Sequence, residues 1–427
     1  MHIKIGLAWR CYNPVVTPRT YQPIVTPVMD ATRNESMENQ PVKIFRNLLT
    51  KSNKGSIAFI FLLLGSILMT IGTLLAFGVH QSGDANRYIG RGTWLWTNLI
   101  DGNGGVLFDS LWTILYLVPN LFISALVYLN PENAAVLSVL SNVILYGALI
   151  LFMVSTWAGT SSTNLNLLVA FASLLLFFGL PGEITKYLGF YYSSDILFLC
   201  LSGYALAALA KGYLQNDPLL IAVAIMTGLV CVFTRPPGVI TFLVIIISIL
   251  FGVFYLTKTF IALAILAPLI IAVIVWPYYI NLLLIENKEV SSGMGYVLYN
   301  YKYGVIVSGY DRSYIRPPDG MLGYSYMTIL RMAYYLIPFR IGYSIPHVIT
   351  NLLYLSFFGL CFYRGFTILA RRGAPGKRVL ITALLYVFWM TLFHSMTQVE
   401  DWRYELPIWP ALWLIAGYGI FAAEDHA

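Results

Sequence analysis

Long apolar runs follow one another along most of this 427-residue chain. Ten of them are near or above the roughly 17 residues that a helix needs to cross the hydrocarbon core of a bilayer. They cover residues 57–79, 134–157, 165–181, 190–210, 217–234, 238–256, 259–281, 346–364, 379–396 and 405–422. Because backbone groups in lipid must be satisfied within the segment, such runs predict helices. The predicted fold class is all-α, a polytopic transmembrane helical bundle with about ten spans.

The balance of residue types excludes several other classes of protein. Apolar residues make up 58% of the chain and charged residues 11%, which is too apolar for an ordinary soluble domain. The net charge of +7 does not indicate nucleic-acid binding, because its clearest clusters lie beside hydrophobic runs. The four cysteines form no CxxC pair, zinc spacing or disulfide framework.

Residues 1–55 are polar and contain no apolar core that a cleavable signal peptide would need. They predict a cytoplasmic, disordered tail in front of an uncleaved anchor, and translation from Met37 would remove residues 1–36 without cost to the membrane region. Residues 56–423 then form the membrane domain.

Charge predicts the orientation of this domain. The short segment Arg364–Arg378 is rich in Arg and is expected in the cytoplasm. Counting spans back from it requires the run 111–129, which Pro119 and Asn120 interrupt, to be interfacial or re-entrant. Both termini are then cytoplasmic. The outer side receives a first outer loop at 80–133 with interfacial helices and a tyrosine-rich loop at 282–345.

The first outer loop opens with a polar helical face. Asp84, Arg87, Tyr88 and Arg91 are spaced by three, four and seven residues, so a helix would place them on one side. A carboxylate there suits a general base for a sugar or lipid hydroxyl. An interfacial cap with an ion pair between Asp84 and Arg87 is the structural alternative.

Two further outer segments carry candidate charges. Asp195 follows Tyr192 and opens a hydrophobic helix, where it either serves in a site or stabilises the helix N-terminus. Lys186 suits a donor phosphate or lipid headgroups. Arg235 lies at the mouth of two apolar helices, a costly place that indicates function. Its guanidinium suits a phosphate, and snorkelling to headgroups is the alternative.

The last outer segment mixes carboxylate, guanidinium and aromatic groups more densely than a solvated turn explains. Its candidates are His394, Glu400, Arg403 and Tyr404. The 282–345 loop holds eleven tyrosines, which suit sugar rings or a membrane interface. No Walker motif, dinucleotide fingerprint, HExxH or nucleophile elbow occurs.

Taken in order, these elements resemble the GT-C class of membrane glycosyltransferases, which use polyprenyl-phosphate sugars in the manner of dolichyl-phosphate-mannose-protein mannosyltransferases. The elements that carry the resemblance are Gly83-Asp84 with Arg87-Tyr88, Tyr192-Ser193 through Asp195, Thr234 to Gly238, and Glu400 to Pro407. The similarity covers about residues 57–422. It implies a GT-C-like fold and an inverting transfer of a hexose at the outer face.

The resemblance implies that Asp84 is the base and that Arg235, Arg403 and Lys186 hold the donor phosphate. The remaining candidate pocket residues are Arg87, Tyr88, Tyr192, Asp195, His394, Glu400 and Tyr404. The expected partners are a polyprenyl-phosphate sugar, an acceptor hydroxyl on a glycan, lipid or protein, and membrane lipids. No residue is assigned to a metal, and a role for a divalent metal stays open. The expected location is a cell membrane, most simply a bacterial inner membrane.

Other functions remain open from the sequence. A polysaccharide polymerase or ligase would also use lipid-linked glycans and outward arginines. A flippase or transporter would favour broken helices and internal repeats, and the sequence shows no inverted repeat. A purely structural membrane subunit would not need the clustered outer charges.

Overall fold

The computed structural model describes residues 75, 80–81, 85–158, 190–253, 258–286, 292–307, 313–314, 318–336, 344–397 and 406–421. The predicted N-terminal tail and the predicted spans at 57–79 and 165–181 lie outside these ranges, apart from helical Leu75.

The described part of the chain is helical apart from turns and two short strand pairs. The helices are α1 Ala85–Ile100, α2 Leu111–Leu115, α3 Leu117–Leu129, α4 Ala134–Ala158, α5 Ser194–Gln215, α6 Pro218–Val232, α7 Gly238–Val253, α8 Lys258–Ile270, α9 Trp276–Ile285, α10 Ser292–Lys302, α11 Gly320–Leu336, α12 Ile345–Arg371, α13 Gly373–Thr397 and α14 Trp409–Phe421. The 3₁₀ turns are Gly104–Phe108 and Leu406–Ile408. The strands are β1 His80–Gln81, parallel to β2 Phe190–Tyr191, and β3 Val305–Val307, antiparallel to β4 Ser313–Tyr314.

Among the described residues, four helical segments have the length and apolar composition to cross a membrane. They are Ser194–Gln215, Ile261–Ile285, Asn351–Arg371 and Gly373–Thr397. Of the other six predicted runs, 57–79 and 165–181 lie outside the described residues apart from Leu75. The remaining four, 134–157, 217–234, 238–256 and 405–422, each contain a helix, although α6, α7 and α14 are shorter than 18 residues. The all-α class is thus confirmed, and the four long apolar helices indicate a membrane protein.

The second of these segments is continuous although it contains two prolines. It joins α8 to α9 through a π-helical turn, Ile271–Val275. Pro277 follows at once; it has no N–H to donate, and its ring excludes the normal carbonyl position four residues back. A π-helical turn contains one residue more than a normal helical turn. That extra residue lies just before Pro277, where the proline would otherwise interrupt the helix.

The predicted cytoplasmic loop Arg364–Arg378 is wrong as a loop. Helix α12 continues to Arg371, and α13 begins at Gly373, which has a positive φ of 69°. The apolar runs underestimate both helices because Lys and Arg are good helix formers that extend a span beyond the hydrocarbon core.

Helix α5 lies at the centre of the bundle. Its apolar window is 83% buried, and it packs against α4, α6, α7, α13 and α14. Small residues at its surface allow this close packing, since a Cβ on Gly203 would contact Leu149 at 2.8 Å. The start of α5 is therefore held by helices on several sides.

The run 111–129 forms two helices, α2 and α3, rather than one. They are separated at Tyr116, and Pro119 falls within the first turn of α3, where its missing N–H costs little. Helix α3 packs along α1, so the two form a layer within the first outer segment.

The described residues of the tyrosine-rich 282–345 segment form a folded helical layer and not an open loop. Helices α9, α10 and α11 and the β3–β4 pair enclose a core of their own. Tyr301, Tyr324 and Tyr335 are buried in this region, whereas Tyr299 and Tyr326 are exposed. The tyrosines thus divide between packing and surface, a division that composition alone does not reveal.

The close pairing of α12 with α14 depends on two glycines. A Cβ at Gly365 would overlap the carbonyl of Ile415, and one at Gly419 would overlap the carbonyl of Cys361. We expect Gly365→Val to destabilise the protein by about 1–3 kcal/mol or more, because overpacking forces the two backbones apart. Gly359→Val is the matched control on the same helix, with no neighbouring atom within 4 Å. Thermal unfolding in one detergent compares them, and equal melting temperatures would contradict the prediction.

Candidate functional site

The central feature of the candidate site is a buried ion pair. The guanidinium Nη1 of Arg235 contacts Oδ1 of Asp195. The two residues are only 9% and 7% exposed. Burying two charges is costly, and the pair is tolerated because each charge compensates the other. The ion pair therefore joins the start of α5 to the turn between α6 and α7.

The start of α5 is shaped by its own side chains. Ser193 is the N-cap: its Oγ accepts from the Asp195 backbone N–H at 3.2 Å and donates to Asp195 Oδ2 at 2.9 Å. Tyr192 has a positive φ of 56°, and its N–H donates to Ser138 Oγ at 2.9 Å. The Ser193 hydroxyl, the helix N-terminus and Arg235 thus surround the Asp195 carboxylate with a hydrogen-bond donor and positive charge. Asp195 is the counter-ion of Arg235.

Arg235 is positioned by the compact turn from Thr234 to Gly238. The Thr234 hydroxyl donates to the Val230 carbonyl at 2.8 Å, and Gly238 N–H donates to the Arg235 carbonyl at 2.8 Å. A Cβ at Gly238 would overlap the Cys231 carbonyl, so only glycine allows this approach. The Nε of Arg235 is buried and has no hydrogen-bond partner among the described residues.

The first outer segment contacts the site through Tyr88. The Tyr88 hydroxyl and Ser194 Oγ are 2.6 Å apart and share a hydrogen bond, and both residues are buried. Arg87 is exposed, with its guanidinium carbon 5.1 Å from the centre of the Tyr116 ring. Helix α1 therefore places Tyr88 beside the Asp195 end of α5 and directs Arg87 toward α2 and α3.

His394, near the end of α13, completes the described site. It is 2% exposed, and the positive charge of Arg235 acts on its ring. The ring of Tyr335 on α11 lies 6.1 Å from it, centroid to centroid. The tyrosine-rich layer thus reaches the ion-pair site through Tyr335.

Helix direction places all these groups at one end of the bundle. Asp195 begins α5, Arg235 joins α6 to α7, and His394 ends α13. The cations Lys211 and Arg378 lie toward the opposite ends of α5 and α13. Arg378 is there 5.9 Å from the Tyr213 ring. One end of the bundle therefore holds the Asp195–Arg235 pair and His394, whereas the other end holds the cations Lys211 and Arg378.

Arg331 is a buried charge that sequence reasoning missed. It is 1% exposed, donates from Nε and Nη2 to the Val305 carbonyl at 3.1 and 2.7 Å, and lies 4.4 Å over the Tyr301 ring. Burial raises the pKa of Tyr301 and lowers that of Arg331 relative to their ordinary values. Tyr335 acts electrostatically on Arg331 as well as contacting His394. The sequence did contain one indication of this residue, because Arg331 is a charged residue within the apolar stretch 329–333.

The structure brings together five of the predicted site residues. They are Tyr88, Tyr192, Asp195, Arg235 and His394. Arg87 lies on the same helix as Tyr88, and its guanidinium lies near the Tyr116 ring. The predicted base Asp84, and Lys186, Glu400, Arg403 and Tyr404, lie outside the described residues. Within the described ranges, no group of three or more His, Cys, Asp or Glu side chains is arranged to hold a metal.

This arrangement can hold and polarise an anion more readily than it can transfer a proton. Asp195 is committed to Ser193 and Arg235, whereas the Nε of Arg235 has no partner among the described residues and can still donate to an anion. Comparison with protein-family models, curated proteins and solved structures finds no match to this chain.

Proposed function

We propose that this protein is a membrane glycosyltransferase of the GT-C type, which moves a hexose from a polyprenyl-phosphate donor to an acceptor hydroxyl. The observation that carries the proposal is the buried Asp195–Arg235 pair at one end of a helical bundle. A guanidinium that is held in position at the end of two apolar helices can stabilise the negative charge that develops on a departing lipid phosphate. Asp84 acts as the base, and Arg403 and Lys186 assist Arg235 at the phosphate.

The roles of the neighbouring residues follow from their contacts. Tyr88 ties α1 to Ser194 beside the ion pair, and Asp84 precedes this helix by one residue in the sequence. His394 lies close enough to Arg235 to feel its charge, and the Tyr335 ring lies beside His394, so both aromatic groups are available to line the pocket. The acceptor oxygen attacks the anomeric carbon, its proton passes to Asp84, and the lipid phosphate leaves with inversion. The protein supplies position and charge for this step.

The proposed topology has ten spans and cytoplasmic termini, in a bacterial inner membrane with the site facing outward. Its support is the distribution of cations at the helix ends opposite the ion pair. These are Lys211, Arg371, Arg372, Lys377 and Arg378. Lys and Arg favour the cytoplasmic side.

The test is a turnover assay on the purified full-length protein. Polyprenyl-phosphate hexose is supplied with candidate glycan, lipid and peptide acceptors, and released polyprenyl phosphate is measured. We expect the wild type to release it and Asp84→Asn to lose about 10²–10⁴-fold in rate, the usual contribution of a positioned base.

Asp101→Asn is the matched control, because Asp101 is an exposed carboxylate in the turn after α1. It should retain the wild-type rate. An Asp84→Asn variant as active as Asp101→Asn would remove the assigned base. Movement of intact lipid-linked glycan with no new glycosidic bond would replace the transferase by a flippase.

A further inference from the structure

A small cavity lies between α1 and the segment that follows it, apart from the ion pair. Its volume is about 260 Å³. Arg91 and Trp94 contribute to its wall from α1, and Asp109, Ser110 and Thr113 contribute from the opposite side. Drug-sized ligands usually occupy roughly 300–1,000 Å³. The space therefore suits a ligand about the size of one sugar ring.

The charges of this cavity are arranged for a neutral polar ligand. Nη1 of Arg91 is shielded from solvent and has no hydrogen-bond partner among the described residues. Asp109 lines the same cavity, and no ion pair between the two is present in the described structure. The Asp109 carboxylate would repel an anion, and an apolar ligand would leave the Arg91 nitrogen without a hydrogen-bond acceptor. A ligand with hydroxyl groups can accept from Arg91 and donate to Asp109 at once.

The remaining wall adds the features that sugars use. Trp94 is 42% exposed at the cavity and offers an aromatic face to the C–H groups of a sugar ring. Ser110 and Thr113 share a hydrogen bond of 2.9 Å, so their hydroxyls are held in place as further donors and acceptors. This combination of an indole with charged and hydroxyl groups suits a carbohydrate.

The cavity is also near the ion-pair site. Arg91 follows Tyr88 by three residues, a rise of about 4.5 Å along the helix, and Tyr88 bonds to Ser194 beside Asp195. We propose that this cavity is a subsite for a neutral hexose unit of the acceptor. The assignment to the acceptor rests on the proposed transferase function, whereas the binding of a hexose does not. The acceptor is accordingly a glycan or glycolipid.

Photoaffinity labelling of the full-length protein in lipid nanodiscs tests the proposal, since nanodiscs avoid detergents with sugar headgroups. The probes are methyl glucoside, methyl galactoside and methyl mannoside, each carrying a diazirine. After irradiation, mass spectrometry locates the labelled peptides. We expect at least one probe to label residues 85–115 and the unmodified glycoside to compete.

Trp94→Ala and Arg91→Gln should each lower this labelling about tenfold, as loss of a stacking face or a charged hydrogen bond predicts. Thr97→Ala is the control on the same helix, because Thr97 is exposed outside the cavity and bonds only to the Thr93 carbonyl. It should label like the wild type. The proposal is overturned if a diazirine-bearing cyclohexyl ether, which lacks the sugar hydroxyls, labels residues 85–115 as strongly as the glycoside probes. It is also overturned if neither Trp94→Ala nor Arg91→Gln reduces the labelling.

The two proposals fail separately. Hexose labelling needs no lipid donor, so a protein that releases polyprenyl phosphate but labels nowhere near 85–115 loses the subsite and keeps the transferase. A protein that labels there without turnover keeps a sugar site and loses the transferase.

Discussion

Replacing Arg235 by glutamine is expected to lower turnover of the polyprenyl-phosphate donor by about 10²–10³-fold, the usual cost of removing one preorganised group that stabilises developing charge. Glutamine is close in length and still polar, but it lacks the charge that faces the departing phosphate. Arg235 is buried and held by its turn. A neighbouring cation therefore cannot swing into its place without moving the α6–α7 connection.

The difficulty with this variant is that Arg235 also supports the fold. Removing one member of a buried pair costs about 3–5 kcal/mol because the other charge is left uncompensated. Asp195→Asn should lose similar stability for the same reason, but it retains the guanidinium. We therefore expect its turnover to fall much less than that of Arg235→Gln.

The double variant Asp195→Asn with Arg235→Gln separates the two roles. It leaves no isolated charge, so its melting temperature should return toward that of the wild type. Its turnover should remain at the level of Arg235→Gln. If turnover recovers together with stability, the ion pair is a structural clamp only, and the assignment of Arg235 to the donor phosphate is wrong.

The sequence predicts the parts of this protein that depend on local pattern. Apolar runs mark helices because the hydrocarbon core demands both length and internal hydrogen bonds. Arg235 is recognisable from the sequence because an arginine beside apolar helices is energetically costly and therefore indicates a function. Tyr88 is predicted from its helical spacing with Asp84, Arg87 and Arg91, and His394 from its place just before the last charged segment. The helix ends themselves are less certain, as α12 and α13 show by continuing through basic residues.

The partners of these residues are not local and could not be predicted. Asp195 precedes Arg235 by forty positions, and only the packing of α5 against α6 and α7 makes them an ion pair. The sequence therefore left Asp195 between a helix-terminal role and a site role. In the structure Ser193 is the N-cap and Asp195 lies in the first turn of α5, paired with Arg235, while its role in a functional site stays a prediction. The tyrosines of the 282–345 segment are ambiguous for another reason, because a tyrosine suits a core, an interface or a sugar equally well.

Arg331→Ala is expected to destabilise the tyrosine-rich layer by about 3–5 kcal/mol, more than an ordinary surface change. The variant removes two hydrogen bonds from a charged donor to the Val305 carbonyl and empties the space above the Tyr301 ring. Hydrogen exchange measured by mass spectrometry should show faster exchange in α10, β3 and α11. Arg364→Ala is the control, an exposed arginine on α12 whose loss should change stability by less than about 0.5 kcal/mol.

The same variant tests whether this layer supports the ion-pair site. Tyr335 lies one helical turn after Arg331 and contacts His394, so loosening α11 should release one wall of the site. We expect turnover to fall as α11 exchange rises, while α5 and α6 keep their protection because the Asp195–Arg235 pair does not depend on Arg331. Arg331→Met separates charge from volume: it refills the space but still leaves the Val305 carbonyl without its donor, so it should recover part of the stability only. Full turnover in Arg331→Ala with α11 unprotected would show that the layer merely covers the bundle and that His394 needs no aromatic partner.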